Sequence, residues 1–184
     1  MAVVKIYKYP HIHLRTECQP VSEITGEVLK VCEDLVDTMY AQSGAVGLSA
    51  PQIGQSLRII VLDVSANTTK DQLRVMINPE IKAQSRNKLV REGCLSFPDY
   101  LVNSKRATKL TVRYQTPTGA FEELETKHLE AIAIQHEIDH LDGVLMIDRV
   151  QSLKTDLIRR YTQASSAQTS SSAQSEEPSE PSFS

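Results

Sequence analysis

The chain has 184 residues, which is enough for one domain with a buried core and too few for two domains of ordinary size. Apolar residues make up 40% of the sequence, and nowhere do about 18 of them follow one another, so we expect no membrane-spanning segment. The formal net charge of −3 comes from 20 basic and 23 acidic residues, and Glu176, Glu177 and Glu180 near the carboxyl end account for the excess. The rest of the chain is near neutral, so its charge predicts neither nucleic-acid binding nor attachment to an anionic membrane surface.

The amino-terminal residues and the cysteines predict a compartment. No apolar run after Met1 is long enough for the core of a signal peptide. Cys18, Cys32 and Cys94 are odd in number and far apart, so we expect free thiols rather than a disulfide framework. Together these features predict a cytoplasmic protein.

The first third of the chain should hold one helix. Residues 1–23 suggest a short strand-like start and a loop interrupted by Pro10 and Pro20, in which His11 and His13 are expected to be solvated. Apolar residues then recur at intervals of three and four, which predicts an amphipathic helix over residues 25–41. Cys32 falls on the apolar face of this helix and is expected to be buried.

Strands dominate the middle of the predicted fold. Small residues at 43–54 can bring backbone close to a ligand, although a phosphate loop is excluded because no Lys-Ser or Lys-Thr pair follows. Strands are predicted at 57–64, 73–77 and around 81–91, with Asn78 and Pro79 turning the chain between the last two. The segment 91–98 is predicted as a strand ending in a turn, with Pro98 preventing its extension.

The carboxyl-terminal part should contain a hairpin, a helix and a tail. Residues 109–114 and 121–125 flank a turn-forming sequence and predict a β-hairpin. A helix should follow, capped by Thr126 and ended by Gly143. Residues 145–150 and a short helix at 153–161 close the predicted domain, which spans residues 1–162. The Ser-, Gln-, Glu- and Pro-rich segment 163–184 is expected to be disordered.

The helix after the hairpin carries a metal-binding pattern. His136 and His140 are four residues apart, so their imidazoles lie on one helix face and can hold one metal ion, with Glu137 beside it. An apolar stripe on the same side leads into the two histidines, as expected for a metal at the base of a hydrophobic pocket. The stripe consists of Leu129, Ile132 and Ala133.

A third protein ligand is still needed. Downstream of His140 the sequence offers Asp142 and Asp148 and no later His, and an acidic third ligand there would suit a zinc endopeptidase. Cys94 is the better candidate, since it lies in a turn made flexible by Gly93, with Glu92 close by. A metal with a purely structural role, in a catalytically inactive peptide-binding module, is a further alternative, but closed structural sites need four protein ligands.

Three segments together resemble the signature motifs of the peptide deformylase family. These are residues 47–52 (GLSAPQ), 92–96 (EGCLS) and 135–141 (QHEIDHL), in the family's order and spacing. The resemblance extends over about residues 3–160. It implies an α+β fold in which antiparallel sheets wrap around a central metal-binding helix, and an enzyme that removes the formyl group from the N-formylmethionine of nascent polypeptides.

The resemblance also implies roles for individual residues. Cys94, His136 and His140 would bind one divalent metal ion, and Glu137 would act as general base and then acid. The side chain of Gln52 and the backbone N–H of Leu95 would stabilise the oxyanion. The methionine side chain would lie against an apolar lining formed by Val46, Gly47, Val90, Leu129, Ile132 and Ala133.

The resemblance leaves some features open. It suggests iron(II) in the cell, while the ligand set also suits zinc, nickel or cobalt. Nascent N-formylmethionyl peptides, and the ribosome near its exit tunnel, are the expected partners. Ala45, Ser49 and Leu101 depart from the family pattern, and Glu92 and Arg106 are candidates for an ion pair that supports the Cys94 turn.

Overall fold

The structure, a computed structural model, describes residues 2–65 and 72–160. Helices and antiparallel strands are both present, which confirms the expected α+β class. The α-helices of the described chain are α1 (Gly26–Tyr40), α2 (Leu129–Leu141) and α3 (Leu153–Asp156). Its strands are β1 (Gly47–Ser49), β2 (Ile59–Leu62), β3 (Arg74–Cys94), β4 (Phe97–Gln115), β5 (Phe121–Lys127) and β6 (Leu157–Arg159).

All the strands join one six-stranded antiparallel sheet. Strands β1 to β5 lie side by side in chain order, and β6 pairs with the first part of β4. Strand β2 pairs with β3 only as far as Ile77. No described strand pairs with the outer side of residues 82–91, so this half of β3 is a sheet edge.

The two long helices pack on opposite faces of the sheet. Successive residues of β2 point to opposite faces, so Ile60 and Leu62 meet α2 while Ile59 and Val61 meet α1. Burial on both faces explains why β2 is apolar throughout. The side chains that α1 buries are Val28, Cys32, Leu35, Thr38 and Met39. The apolar residues that α2 contributes to its core are Ala131, Ile134, Ile138 and Leu141.

Helix α1 agrees with its sequence prediction. Thr25 is the residue before the helix, and its hydroxyl oxygen accepts a hydrogen bond from the backbone N–H of Val28 at 3.4 Å. Cys32 is buried as expected, and Cys18 is also buried. None of the helices in residues 2–65 and 72–160 combines the length and the apolar character that a bilayer crossing needs.

The predicted turn at Asn78 and Pro79 is wrong, because β3 continues through both residues. Asn78 adopts a left-handed conformation with φ of +51°, and the register with β4 shifts between Ile77 and Glu80. The Asn78 side chain bonds the backbone N–H and C=O of Val21, each at 2.8 Å. A bulge therefore absorbs the irregularity without ending the strand.

Pro98 likewise does not end its strand. Residues 95 and 96 form a tight turn, and Pro98 is the second residue of β4. Cys94 pairs with Phe97 but Gly93 pairs with Leu101, so residues 98–100 bulge away from β3. Proline is tolerated there because a bulged residue needs no N–H for the ladder.

The ends of the predicted elements differ from expectation at three places. Thr126 belongs to β5 and is not the helix cap; His128, with φ of +60°, precedes α2. Residues 2–23 form no strand and contain only the short 3-10 helix Ile12–Arg15. The helix expected at 153–161 ends at Asp156, where β6 begins. The predicted tail, residues 163–184, lies outside the described residues.

Candidate metal centre

The fold brings together three buried side chains that can bind a metal. The i, i+4 spacing on α2 sets the rings of His136 and His140 side by side, with centroids 5.1 Å apart. Cys94, the last residue of β3, places its Sγ 3.2 Å from His140 Nε2. One ligand atom from each residue lies within 4.8 Å of the others. A thiol and two imidazoles at this spacing fit one divalent transition metal.

Glu92 orients the first histidine. Its Oε2 lies 2.9 Å from His136 Nδ1, which leaves Nε2 of the ring for a metal. Burial alone would raise the pKa of Glu92, but the hydrogen bond with His136 and the charge of Arg106 outweigh it and lower the pKa to about 2. Glu92 is therefore ionised and accepts the hydrogen bond.

A chain of ion pairs continues behind Glu92. The Arg106 side chain, 4% exposed, donates to Glu92 Oε1 at 2.9 Å and to Asp139 Oδ2 at 2.6 Å. Arg149 closes the chain by pairing with the same Asp139 carboxylate. The expected ion pair between Glu92 and Arg106 is thus present, and it connects β3 and β4 to α2.

The pKa values of the two histidines shift in opposite directions, although burial acts to lower both. It lowers the pKa of His140 well below the usual value, with the charge of His136 acting in the same direction, so this ring is neutral. Burial also opposes protonation of His136, but Cys94 and Glu92 outweigh it and raise its pKa well above the usual value.

Gln52 faces the same centre from the 3-10 helix Ala50–Ile53, which follows β1. Its Oε1 accepts hydrogen bonds from the backbone N–H and the hydroxyl of Ser49, both at 2.9 Å. This anchoring turns Nε2 toward the centre, 3.1 Å from Ser96 Oγ and 3.6 Å from Cys94 Sγ. The Ser49 hydroxyl, a departure from the family pattern, thus helps to hold the amide.

Glu137 is buried against the backbone of β1. A Cβ on Gly47 would lie 2.7 Å from Glu137 Oε1, so only glycine leaves room for the carboxylate. Glu137 Oε2 is buried and has no hydrogen-bond partner among residues 2–65 and 72–160. Burial raises the pKa of Glu137 even though the charge of His136 and the Ser49 hydroxyl act to lower it. These features suit a group that exchanges a proton with a reactant.

A cavity of about 450 Å³ leads from the surface to these residues. Leu95 of the turn after β3 lines it together with Gln52, Cys94, His136 and Glu137. The predicted methionine-binding residues that line it are Val46, Gly47, Leu129, Ile132 and Ala133. Val90 is not among the lining residues. Leu129 is 50% exposed, so it lies toward the cavity's outer part.

Neither alternative metal arrangement is present among the described residues. The downstream acids are engaged elsewhere, since Asp142 pairs with Arg58 and Asp148 with Arg15. No fourth His, Cys, Asp or Glu in residues 2–65 and 72–160 joins the cluster. The site has the three protein ligands of an open centre.

Sequence reasoning missed the residues that support the ligands. Asp139 lies within the HEIDH motif, yet its pairing with Arg106 has no local signal. Ser96 and Ser104 bond Gln52 and Glu92, respectively, across different parts of the chain. Strand pairing brings Ser104 to Glu92, and packing between separate elements makes the other two contacts, neither of which the sequence reveals.

Comparison with known proteins agrees with this geometry. The sequence model of the family described as polypeptide deformylase matches residues 3–156. A peptide deformylase of Thermodesulfovibrio yellowstonii is 41% identical over 160 residues, which cover 87% of this chain and 96% of that protein. A peptide deformylase of Acidobacterium capsulatum is 43% identical over 160 residues, covering 87% of this chain and 94% of the relative.

Solved structures give the same result. A peptide deformylase from Legionella pneumophila superposes with a TM-score of 0.78 and 38% identity, covering 83% of this chain and 89% of that one. One from Thermotoga maritima has a TM-score of 0.76 and 36% identity, covering 83% of this chain and 100% of its own. With its motifs, fold and Cys-His-His centre in agreement, the chain belongs to the polypeptide deformylase family.

Proposed function

We propose that Cys94, His136 and His140 hold a single divalent metal ion at which this chain hydrolyses a formamide. The chain is a metal-dependent hydrolase that removes the formyl group from the N-formylmethionine of nascent polypeptides, releasing formate. The observation that carries the site assignment is the buried Cys-His-His cluster at the inner end of a cavity, beside Glu137, whose Oε2 has no hydrogen-bond partner among the described residues.

The bound ion would supply Lewis acidity for water attack on the formyl carbon. Glu137 accepts the proton of the attacking water and delivers it to the amine as the carbon–nitrogen bond breaks. Gln52 Nε2 and the Leu95 backbone N–H donate hydrogen bonds to the oxygen that becomes negatively charged, each contributing about 2.7–4 kcal/mol. The anchoring of Gln52 by Ser49 supports this role, because the amide N–H needs no rearrangement during the reaction.

The outer lining of the cavity supports binding of a methionine side chain. Val46, Leu129, Ile132 and Ala133 offer apolar surface next to the metal ligands. A flexible, unbranched thioether fits such an irregular apolar pocket. We expect these four residues and Gly47 to contact the substrate.

We propose iron(II) as the ion in the cell, with zinc, nickel and cobalt as functional substitutes. A thiolate and two imidazoles bind all of these ions, and the order of affinities does not choose among them. Iron(II) reacts with oxygen, and this reaction can oxidise both the ion and the Cys94 thiolate that would bind it. We therefore expect the iron form to lose activity in air within a time in which the nickel or cobalt form remains active. Equal aerobic lifetimes for all metal forms would contradict the assignment.

The site of action follows from the substrate. Because nascent chains are deformylated as they emerge, we propose that the enzyme works in the cytoplasm near the ribosomal exit tunnel. The reaction itself supports this proposal.

The decisive experiment is formate release from a short N-formylmethionyl peptide by anaerobically purified protein loaded with iron(II) or nickel. We expect rapid release from the wild type and none above background from Glu137→Ala with equal metal content. Absence of release by folded, metal-loaded wild type would overturn the proposal. Cleavage of an internal peptide bond would indicate an endopeptidase instead.

A further inference from the structure

Three cationic side chains surround the outer part of the cavity. Lys8, Arg91 and Arg160 line it, and all three residues are exposed, whereas the metal ligands are buried. None of the three forms an ion pair with a residue of the described chain. The acidic residues of the cavity, Glu92 and Glu137, lie at its inner end. Among residues 2–65 and 72–160, the mouth is therefore lined by cations and by no carboxylate side chain.

Arg160 directly follows strand β6, and the pairing of β6 positions it at this mouth. Its pairing with β4 places Ile158 opposite Leu101, and the Arg160 backbone N–H donates to Asp99 O at 2.7 Å. The Arg160 guanidinium lies over Gly93, where any side chain at that position would collide with it. Arg160 lies beyond residues 3–156, the part of the chain that the family model matches.

Arg91 lines the same cavity, two residues before Gly93 on β3. Alternate residues of a strand point to the same face, so the Arg91 side chain leaves β3 on the face that Arg160 covers at Gly93. The one hydrogen bond of the Arg91 side chain within the described residues is a long one, 3.5 Å to Asn103 Oδ1. Two guanidinium groups at one rim, neither paired with a carboxylate of the part of the chain that the structure describes, favour an anion between them.

A bound peptide would pass this rim. With its formylmethionine at the inner end, an extended peptide advances about 3.3 Å per residue, so the next two or three residues extend outward through the mouth. A carboxylate on one of these residues comes within reach of long arginine side chains. The same position would repel a lysine.

We propose that Arg160, together with Arg91, forms a cationic subsite that favours substrates with aspartate or glutamate shortly after the formylmethionine. The inference rests on the proposed function and extends it to sequence preference. Arg160 acts here on substrate binding and takes no part in bond cleavage.

The test uses formyl-Met-Ala-X-Ser peptides with amidated carboxyl ends, where X is Asp, Asn or Lys. For the metal-loaded wild type we expect kcat/KM to decrease from Asp to Asn to Lys, by roughly fivefold between Asp and Asn at low salt, mainly through KM. The preference should shrink as salt is added. Arg160→Gln should remove most of it, and Arg160→Lys should retain part.

Arg159→Gln is the matched control, because it removes the same charge from the neighbouring residue of β6, which does not line the cavity. This variant should keep the wild-type preference. Equal kcat/KM for the Asp and Asn peptides, or an undiminished preference in Arg160→Gln, would overturn the proposal.

Two more measurements identify the source of the anion and separate binding from turnover. A peptide with X as Asn and a free terminal carboxylate tests the chain end as the source of the anion; a preference for that peptide alone would refute recognition of a side chain. Binding of the deformylated Asp and Asn products, measured by calorimetry, tests the subsite without turnover. If the enzyme deformylated the Asp, Asn and Lys peptides equally well, the proposed function would stand and only the cationic subsite would be rejected.

Discussion

Gly47 lies close to Glu137, so replacing Gly47 by alanine tests whether the position of the Glu137 carboxylate matters for catalysis. A Cβ at residue 47 would lie 2.7 Å from Glu137 Oε1 and 3.1 Å from its Cγ. We expect Gly47→Ala to displace the carboxylate and lower kcat by about 100-fold, the size of effect that a misplacement of about 1 Å produces.

Metal content and thermal unfolding of Gly47→Ala should stay near wild type, because the ligands themselves are untouched. Gly26→Ala is the control, since a Cβ there meets nothing within 4 Å. Wild-type kcat in Gly47→Ala would show that Glu137 can shift without loss of function.

At the scale of single residues, the sequence predicted functional roles where the residues involved lie close together along the chain. His136, Glu137 and His140 lie within five positions of one helix, so their relation could be read directly from spacing. Cys94 needed the argument from its turn, from Glu92 and from the family motif. Asp139 and Ser96 could not be assigned roles, because their partners lie on other elements at distances set by tertiary packing.

At the scale of elements, Arg106 joins two strands to the helix of the metal ligands. Its side chain is buried between Glu92 and Asp139. Arg106→Ala would leave two buried carboxylates without their shared cation, so we expect the free energy of unfolding to fall by about 3–5 kcal/mol in chemical denaturation.

Arg149→Ala is the comparison, because Arg149 pairs with the same Asp139 but its side chain is 45% exposed. We expect it to cost about 1 kcal/mol or less. If the two variants lost similar amounts of unfolding free energy, the burial of Arg106 would not increase its contribution to stability.

A hydrogen bond joins helix α1 to the residue after β2. We expect this bond to affect how the free energy of unfolding changes with pH in alkaline solution. The Tyr40 hydroxyl donates to Asp63 Oδ2 at 2.6 Å, and burial together with this bond raises the pKa of Tyr40 to about 12 from 10.0. Since the phenol ionises more easily in the unfolded chain, its contribution is complete below pH 10 and is lost as the pH rises from 10 to about 12.

We expect Tyr40→Phe to lower the free energy of unfolding by about 1 kcal/mol near neutral pH. The variant should also lose stability less steeply than wild type above pH 10, as measured by urea denaturation at several pH values. Parallel profiles would contradict the assigned role of the hydroxyl.

Elements with a clear local signal, such as α1, β2 and the hairpin of β4 and β5, were predicted, whereas the strand bulges and β6 were not. The apolar repeat of α1 could be read from the sequence because its signal is local. Pro79 and Pro98 suggested interruptions that β3 and β4 absorb as bulges. Strand β6 has three residues and exists through its pairing with β4, which nothing in its own sequence indicates.

At the scale of the whole molecule, the catalytic unit should not need the carboxyl-terminal tail. The family model ends at residue 156, and the residues assigned to catalysis, metal binding and the cationic rim all precede residue 161. We expect a chain truncated after Gln163 to keep the full protein's kcat/KM for deformylation. A large loss on truncation would mean that the tail contacts the domain or its substrate.

The bare edge of β3 has a consequence for how copies of the molecule meet. Along residues 82–91, no described strand pairs with the outer backbone groups, and such groups offer a template on which another chain could build a strand. Lys82, Arg86, Lys88 and Arg91 lie along this edge, and no acidic residue falls within that stretch of sequence. Two such edges approaching each other would bring like charges together. We therefore expect these cations to oppose the pairing of two such edges, and so to slow aggregation in a crowded solution.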